Sequence, residues 1–525
     1  MLPTAADGRG GRTRTGDLLL PKQARYQAAP HPGGGGHSIL RRGGALLSGR
    51  LLPLLPAAGL LVLLAIRISA DPAPGVTLSQ APFTDEGWNL IGGRNLAVFG
   101  HPLVGDWTLF YVNIPFSVAA AVAFWLFGLG MVPARLVSLL AAAGTVAVVG
   151  SFTARRQGRL AGALASSALA GCELWLYYGG LAFLEPMVAL FLVLGFVALH
   201  RSGASGLPSA VLAGVLLALA IGTKPNAIFP VAGMLIAGGL VSRHSAERRA
   251  RHLLAAATVM AAGLVWAVVV ALPRLAQIGT ALRIWAPFSA PGDVGALGTR
   301  FVRFFTQSDR VFTDTLPLLV LAVAGIAYAW RTTRQRDADR EVVASLLGWL
   351  ALGVFVLLVV DYRPNRYAVP LLPPLAMLGG YLLGPVLSRL RRSPAARAVA
   401  VAALLALVLV PGLTRYGGWL AHDTHLLEWI QSRTASAVAS RPAAIGGKYA
   451  PLFALTSRAQ TYVQRQSDRI NPGDLYRIRG VRWVVLDSAG PPVWLRGTER
   501  VAWERRKVIF CQPWGGEKTC LIGLP

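Results

Sequence analysis

Between Leu51 and Thr414 the chain is a succession of apolar runs almost free of charge. They cover Leu51–Ile66, Tyr111–Ala134, Leu136–Ala154, Leu160–Cys172, Pro186–Leu199, Leu207–Thr223, Pro225–Ser242, Leu253–Pro273, Thr315–Trp330, Val342–Val360, Tyr367–Ser388 and Ala398–Thr414. Most approach the roughly 20 residues an α-helix needs to cross about 30 Å of hydrocarbon. Composition agrees: of 525 residues 54% are hydrophobic and 14% charged, whereas soluble domains carry roughly a quarter charged residues. The pattern predicts an all-α polytopic membrane protein.

The net charge of +27 would suit nucleic acid if it were spread over one surface, but it is not. Arginines gather in short stretches between apolar runs: Arg155, Arg156 and Arg159; Arg201; Arg243, Arg248, Arg249 and Arg251; Arg331, Arg334, Arg336 and Arg340; Arg389, Arg391, Arg392 and Arg397. This is the bias of cytoplasmic loops, and it argues against a nucleic-acid partner. All the clusters fall inside only if Tyr111–Ala134 does not cross. Pro115, Gly128-Leu129-Gly130 and Pro133 make it a poor straight span. The expected topology has about eleven spans, a cytoplasmic amino terminus and an extracytoplasmic carboxy terminus.

Under this topology the unusual polar residues collect on the outer side: Asp85, Glu86, Glu185, Lys224, Asp361, Arg363 and Arg366. Charges at membrane depth or at helix ends are costly and commonly functional. Residues 1–48 are rich in Gly, Arg and Pro and read as a disordered basic cytoplasmic tail. Residues 49–415 form the transmembrane unit, and 416–525 read as a small extracytoplasmic α/β domain with a helix over His425–Val438 and strands at Val481–Leu486 and Lys507–Cys511. Its tryptophans suit either a sugar or lipid surface or core packing. Cys511 and Cys520 flank a turn-like Pro513-Trp514-Gly515-Gly516 and outside the membrane could pair as a hairpin disulfide. Cys172, inside a run, is expected to be inert.

Several short motifs share this outer face: Thr84-Asp85-Glu86-Gly87-Trp88, Gly100-His101-Pro102-Leu103, Phe183-Leu184-Glu185-Pro186, Gly222-Thr223-Lys224, and Arg363-Pro364-Asn365-Arg366-Tyr367 leading to Pro370, Pro373 and Pro374. With Phe127-Gly128 and Ala134-Arg135-Leu136 they resemble the GT-C glycosyltransferases over about residues 50–415. The nearest branch holds the protein O-mannosyltransferases, the aminoarabinose transferases and Rgt-like enzymes. The resemblance implies a transmembrane glycosyltransferase unit with juxtamembrane helices in its first outer loop. It also implies a polyprenyl-phosphate-linked sugar as donor and direct inversion at the anomeric carbon. Two departures stand out: Val112-Asn113-Ile114-Pro115 occupies the place of a Lys-Pro-Pro, and Glu185 that of an Asp.

The chemistry of the residues leads the same way. Expelling a phosphate-type leaving group calls for cations, and Arg suits bidentate contact with phosphate. Arg363, Arg366 and Lys224 are the candidates, with Tyr367, His101 and Tyr178 as further substrate contacts. An attacking hydroxyl calls for a carboxylate base within hydrogen-bond reach. Asp85 is the expected base, Glu86 orients acceptor or metal, and Glu185 helps position either. No cofactor is identified with certainty, no metal ligand set is recognisable, and a divalent metal remains compatible. The expected partners are the bilayer of the cell (plasma or inner) membrane, the lipid-linked sugar and a glycan, lipid or protein acceptor. Plainer readings exist: Asp85 and Glu86 as first-turn acids of a helix, Lys224 as a cation reaching lipid headgroups, Arg363 and Arg366 as interface anchors. Two other functions fit many spans, a transporter or a non-catalytic envelope-assembly subunit. A transporter would carry related halves and acids in mid-span.

Overall fold

Helix ends in the computed structural model fall where the sequence changes character. Described are residues 51–72, 84–103, 109–201, 206–279, 298–299, 311–332, 337–360, 364–464, 475–477, 479–486, 495, 497–514 and 517–525. The expected tail at 1–48, Asp361, Arg363 and Trp494 thus lie outside the described residues.

A 3-10 turn leads into α1 (Leu55–Ile66). The next helix, α2 (Thr84–Phe99), opens with Asp85 and Glu86 in its first turn, where acids complement the unpaired N–H groups. After a 3-10 turn at Phe110–Val112 comes α3 (Ile114–Phe127), started by Pro115 and ended by Gly128, whose φ of +83° few other residues tolerate. Fourteen residues span about 21 Å, short of the roughly 30 Å hydrocarbon core. Tyr111–Ala134 is therefore not one straight helix, as its Pro and Gly residues predict.

Beyond the break run α4 (Met131–Gln157), α5 (Arg159–Ala170) and α6 (Glu173–Gly179), the last two bent by 68° at Gly171-Cys172. Then follow α7 (Glu185–Leu199), α8 (Gly206–Thr223), α9 (Ile228–Val241) and α10 (Ala246–Trp266), capped by Ser245, whose hydroxyl accepts from Arg248 N at 3.4 Å. The bundle closes with α11 (Val311–Thr332), α12 (Asp337–Val359), α13 (Leu372–Arg389) and α14 (Pro394–Ala421). Among the described residues seven helices are long and apolar enough to cross a membrane, eight if the bent pair is one span. The expected number of about eleven exceeds this by the shorter apolar helices α1, α7 and the Thr315–Ala329 part of α11.

The basic ends of these helices meet one another. Arg156, at the end of α4, bonds Asp339 of α12 at 3.1 Å and the His200 carbonyl after α7 at 3.0 Å. Glu185, Lys224 and Arg366 meet at the opposite end of α7, which at 15 residues is about 22 Å long.

α14 continues to Ala421, past the expected boundary at 415. The carboxy-terminal part then carries α15 (Leu426–Ser440), α16 (Ala450–Phe453), α17 (Thr498–Glu504) and a five-stranded sheet. Its strands are β1 (Ala444–Gly447), β2 (Thr461–Tyr462), β3 (Val481–Leu486), β4 (Lys507–Trp514) and β5 (Glu517–Gly523), in the order β2-β1-β3-β5-β4. β1 pairs in parallel with β2 and β3, whereas β5 runs antiparallel to β3 and β4. Cys511 and Cys520 face each other across the β4–β5 hairpin and form a disulfide. Cys172 is a buried free thiol. Trp419, Trp483 and Trp503 are core residues, and Trp429 is exposed.

This domain grips α2. The Arg94 guanidinium, fully buried, donates to the carbonyls of Leu455, Ser457 and Ala459 at 3.3, 2.6 and 2.7 Å. Trp88 Nε1 donates to the Lys448 carbonyl at 2.9 Å. Gly87 allows the approach, since a Cβ there would stand 2.7 Å from Leu452 N. α2 is thus a beam between bundle and sheet, and Asp85 sits on its first turn.

Candidate functional site

Adjacent residues Asp85 and Glu86 point about 100° apart around α2, and their surroundings differ completely. Glu86 is fully buried; its two oxygens take Arg135 Nε and Nη2 at 2.9 and 3.0 Å, and Oε1 also accepts from Ala182 N at 2.8 Å. Arg135 spends a further nitrogen on the carbonyls of Ile68 and Ala70. A doubly bonded pair with its remaining groups satisfied is what makes a buried ion pair tolerable. Glu86 therefore ties α2 to α4 and to the turn before α7, and it does not line the cavity as a carboxylate for acceptor or metal would.

Asp85 faces the other way, into a cavity of about 460 Å³ that Glu185, Lys224, Arg366 and Tyr367 also line. Arg366 holds the two acids together: Nη2 lies 2.8 Å from Asp85 Oδ2, and Nε lies 3.5 Å from Glu185 Oε1. Lys224 Nζ donates to Glu185 Oε1 at 2.5 Å and stands 3.8 Å from the centre of the Tyr367 ring. Arg366 packs over Tyr367 and Phe183 at 5.5 and 5.7 Å. Cations over aromatic faces keep part of their stabilisation when water is excluded. The remaining walls are apolar, with Leu109, Val112, Phe229, Val356 and Val360 among them.

Local sequence explains how four distant residues converge. Glu185 and Pro186 open α7, where Pro fits the first turn and the acid favours the helix N-terminus. Lys224 follows the last residue of α8, in an extended conformation before Pro225. Arg366 lies in the 3-10 turn Asn365–Leu371 that leads into α13. Burial draws the Lys224 ammonium down to about 8, opposed by the Glu185 carboxylate and helped by Arg366. One acceptor remains in reserve: Glu185 Oε2 is buried and has no hydrogen-bond partner.

Of the expected site residues, Asp85, Glu185, Lys224, Arg366 and Tyr367 are together. Tyr178 is buried in the bundle edge-on to Phe183 and does not line the cavity. His101 lies exposed beyond α2, its ring 6.2 Å from that of Phe99. Arg363 lies outside the described residues. Trp88, the last residue of the Thr84–Trp88 motif, also lines the cavity, as do Asn89 and Asn113, which neither charge nor composition singles out. Asn113 stands where the Lys-Pro-Pro of similar chains would begin, which was the one hint available.

Residues 95–279 match the family model described as dolichyl-phosphate-mannose-protein mannosyltransferase. No curated protein matches the chain by sequence. The structure is similar to that of ArnT from Cupriavidus metallidurans bound to undecaprenyl phosphate, with 15% identity and a TM-score of 0.60 over 89% of this chain and 97% of that one. The apo state of the same protein gives 16% identity and a TM-score of 0.62 over the same shares. Archaeal oligosaccharyltransferase AglB from Archaeoglobus fulgidus, in complex with an inhibitory peptide and a dolichol-phosphate, is similar at 14% identity and a TM-score of 0.51, over 82% of this chain and 69% of that one.

Proposed function

We propose that this chain, of the GT-C superfamily by its fold and its mannosyltransferase-like segment, moves a sugar from a polyprenyl-phosphate donor to an acceptor hydroxyl. The observation that carries the reading is the meeting of two acids and two cations in one apolar-walled cavity. That two of the similar structures, one of ArnT and one of AglB, hold undecaprenyl phosphate and dolichol-phosphate adds support for the donor class.

Lys224 and Arg366 hold the donor phosphate. The phosphate draws Arg366 from Asp85 and leaves that carboxylate free for the acceptor. As the hydroxyl attacks, the new C–O bond forms opposite the phosphate and the anomeric C–O bond breaks. The electron pair departs on the polyprenyl phosphate, and the acceptor proton passes to Asp85. Inversion follows from a single displacement. A second assignment makes Glu185 the base, on the strength of its unpartnered buried Oε2. Glu86 supports this site by holding α2 in place.

A divalent metal, compatible with the sequence, enters this reading at no step. Both oxygens of Glu86 are held by Arg135, and among the described residues no set of three His, Cys, Asp or Glu converges here. We draw the mechanism through side chains alone. The proposed orientation puts the pocket and the sheet domain outside the cytoplasm, in the cell (plasma or inner) membrane. The gathered arginine-rich helix ends support it, as does the Cys511–Cys520 disulfide, since such bonds persist in oxidising compartments. Acids at helix ends also weigh against the transporter reading.

The test is transfer in proteoliposomes, offering the purified protein a panel of polyprenyl-phosphate sugars with glycan, lipid and peptide acceptors and identifying products by mass spectrometry. We expect a glycosylated acceptor and free polyprenyl phosphate in equal amounts. Folded protein that consumes no donor in the panel would overturn the reading.

A further inference from the structure

We propose that His200, His252 and Glu341 form a binding site for a divalent metal ion of the zinc class, at the arginine-rich end of the bundle and away from the transfer pocket. The three residues belong to three elements: His200 follows the last residue of α7, His252 lies in the second turn of α10, and Glu341 in the second turn of α12. All three are buried, at 5%, 3% and 3% exposure. Their ligand atoms lie within 4.8 Å of one another. Glu341 Oε1 is 3.3 Å from His200 Nδ1 and 3.9 Å from His252 Nε2. Tetrahedral zinc with ligand distances near 2.0–2.2 Å separates its ligand atoms by about 3.3 Å. Only a small contraction on the His252 side is needed.

The bonding around the cluster leaves lone pairs where an ion would use them. His252 Nδ1 lies 3.0 Å from the Arg248 carbonyl, which can only accept, so Nδ1 carries the hydrogen and Nε2 presents its lone pair. That nitrogen is buried without a hydrogen-bond partner, and His200 would ligate through Nδ1 by giving up its present contact with Glu341. A backbone carbonyl behind a ligating imidazole is the usual outer support of a metal site. Glu341 divides its oxygens: Oε1 faces the imidazoles and Oε2 lies 3.8 Å from Arg248 Nε.

An independent feature is the close packing of Gly238 against His252. A Cβ at Gly238 would stand 2.3 Å from His252 Nε2 and 2.2 Å from Ser345 Oγ, itself buried and unpartnered. Only a residue without a side chain lets α9 approach the imidazole and the Ser345 hydroxyl this closely. Two imidazoles and one carboxylate suit zinc or a similar transition ion; hard ions such as calcium and magnesium prefer all-oxygen sites. Binding would lock together one end of α7 and one end of α12, whose other ends supply Glu185 and Val360 to the pocket. The proposal does not depend on the transferase reading.

The experiment uses the full chain in detergent, purified without a polyhistidine tag, stripped by chelation, and titrated with Co(II) and then Zn(II). We expect one Co(II) per chain with visible ligand-field absorption, displacement by zinc, and a higher thermal midpoint with zinc. His252→Gln should weaken binding by at least about a hundredfold. Gly238→Ala, which keeps all three ligands, should weaken it by displacing the His252 ring. If an imidazole variant fails to fold, the wild-type Co(II) spectrum and stoichiometry still decide. A folded wild-type chain that binds no Co(II) or Zn(II) at micromolar concentration would overturn the proposal. So would variants that bind as tightly as wild type.

Discussion

The two ends of α7 present opposite solutions to burying charge in a membrane helix bundle. At its first residue Glu185 meets Lys224, Arg366 and Asp85 around a cavity of about 460 Å³. Past its last residue His200 meets His252 and Glu341, with their ligand atoms within 4.8 Å of one another. The pocket end balances acids with side-chain cations and leaves room for a substrate. The histidine end brings two imidazoles and a carboxylate together among buried, unpartnered nitrogens. Charge with space invites a substrate; gathered lone pairs invite a metal.

The sharpest way to break this contrast is to remove what holds the pocket end in place. Glu86→Gln strips the buried Arg135 of its countercharge, and breaking such a pair costs about 3–5 kcal/mol. Thermal unfolding in detergent should show a large loss, whereas Asp85→Asn, at a partly exposed position, should leave the midpoint nearly unchanged. Equal midpoints for the two variants would remove Glu86 from its supporting role.

A smaller effect separates the two ends by function. Arg366→Lys keeps charge but loses the planar fork that reaches both acids. Losing one charge-assisted hydrogen bond to phosphate is worth about 1.5–3 kcal/mol, or roughly 10- to 100-fold in donor KM. Metal binding at the histidine end should not change. An unchanged donor KM would detach Arg366 from the donor phosphate.

The smallest expected effect is in pH. Lys224 stands at about 8 in the free pocket, and a bound phosphate raises it, so binding takes up a proton above that pH. Donor affinity should be steady below pH 8 and fall as pH rises through it, by at most about tenfold per unit. Lys224→Met should flatten this fall. An affinity that rises with pH over the same range would contradict the assignment.

How far these two ends were legible in the sequence differs for physical reasons. Glu185, Lys224, Arg366 and Tyr367 each interrupt or border an apolar run, so their cost at membrane depth marks them individually. Their short motifs add a second signal. Asp85 and Glu86 are marked equally, because adjacent residues share composition and register; only the packing of α2 against α4 decides which one faces the cavity. His101 and Tyr178 have suitable chemistry, but their directions follow from a chain turn and from core packing that no local pattern fixes. Arg94 escaped notice because its partners are backbone carbonyls of the sheet domain, which have no sequence signature. The histidine cluster escaped for another reason: its members are scattered along the chain beside arginine-rich ends, where positive-inside bias explains the local charge without them. The helical bundle itself was plain from the apolar runs, and the strands β3 and β4 from their alternation. The bend at Gly171-Cys172 depends on packing and was not.

The central claim is that sugar transfer occurs at the pocket end of α7 with Asp85 as the base. The most direct measurement is the single-turnover rate of Asp85→Asn in proteoliposomes loaded with a donor that the wild type uses, alongside donor binding and thermal midpoint. Asn keeps the shape and most hydrogen bonds of Asp but cannot accept the proton. The account predicts a folded protein that binds donor and transfers at least about a hundredfold more slowly, within the 10²–10⁴ range of general-base assistance. Transfer at a near-normal rate by Asp85→Asn would contradict it.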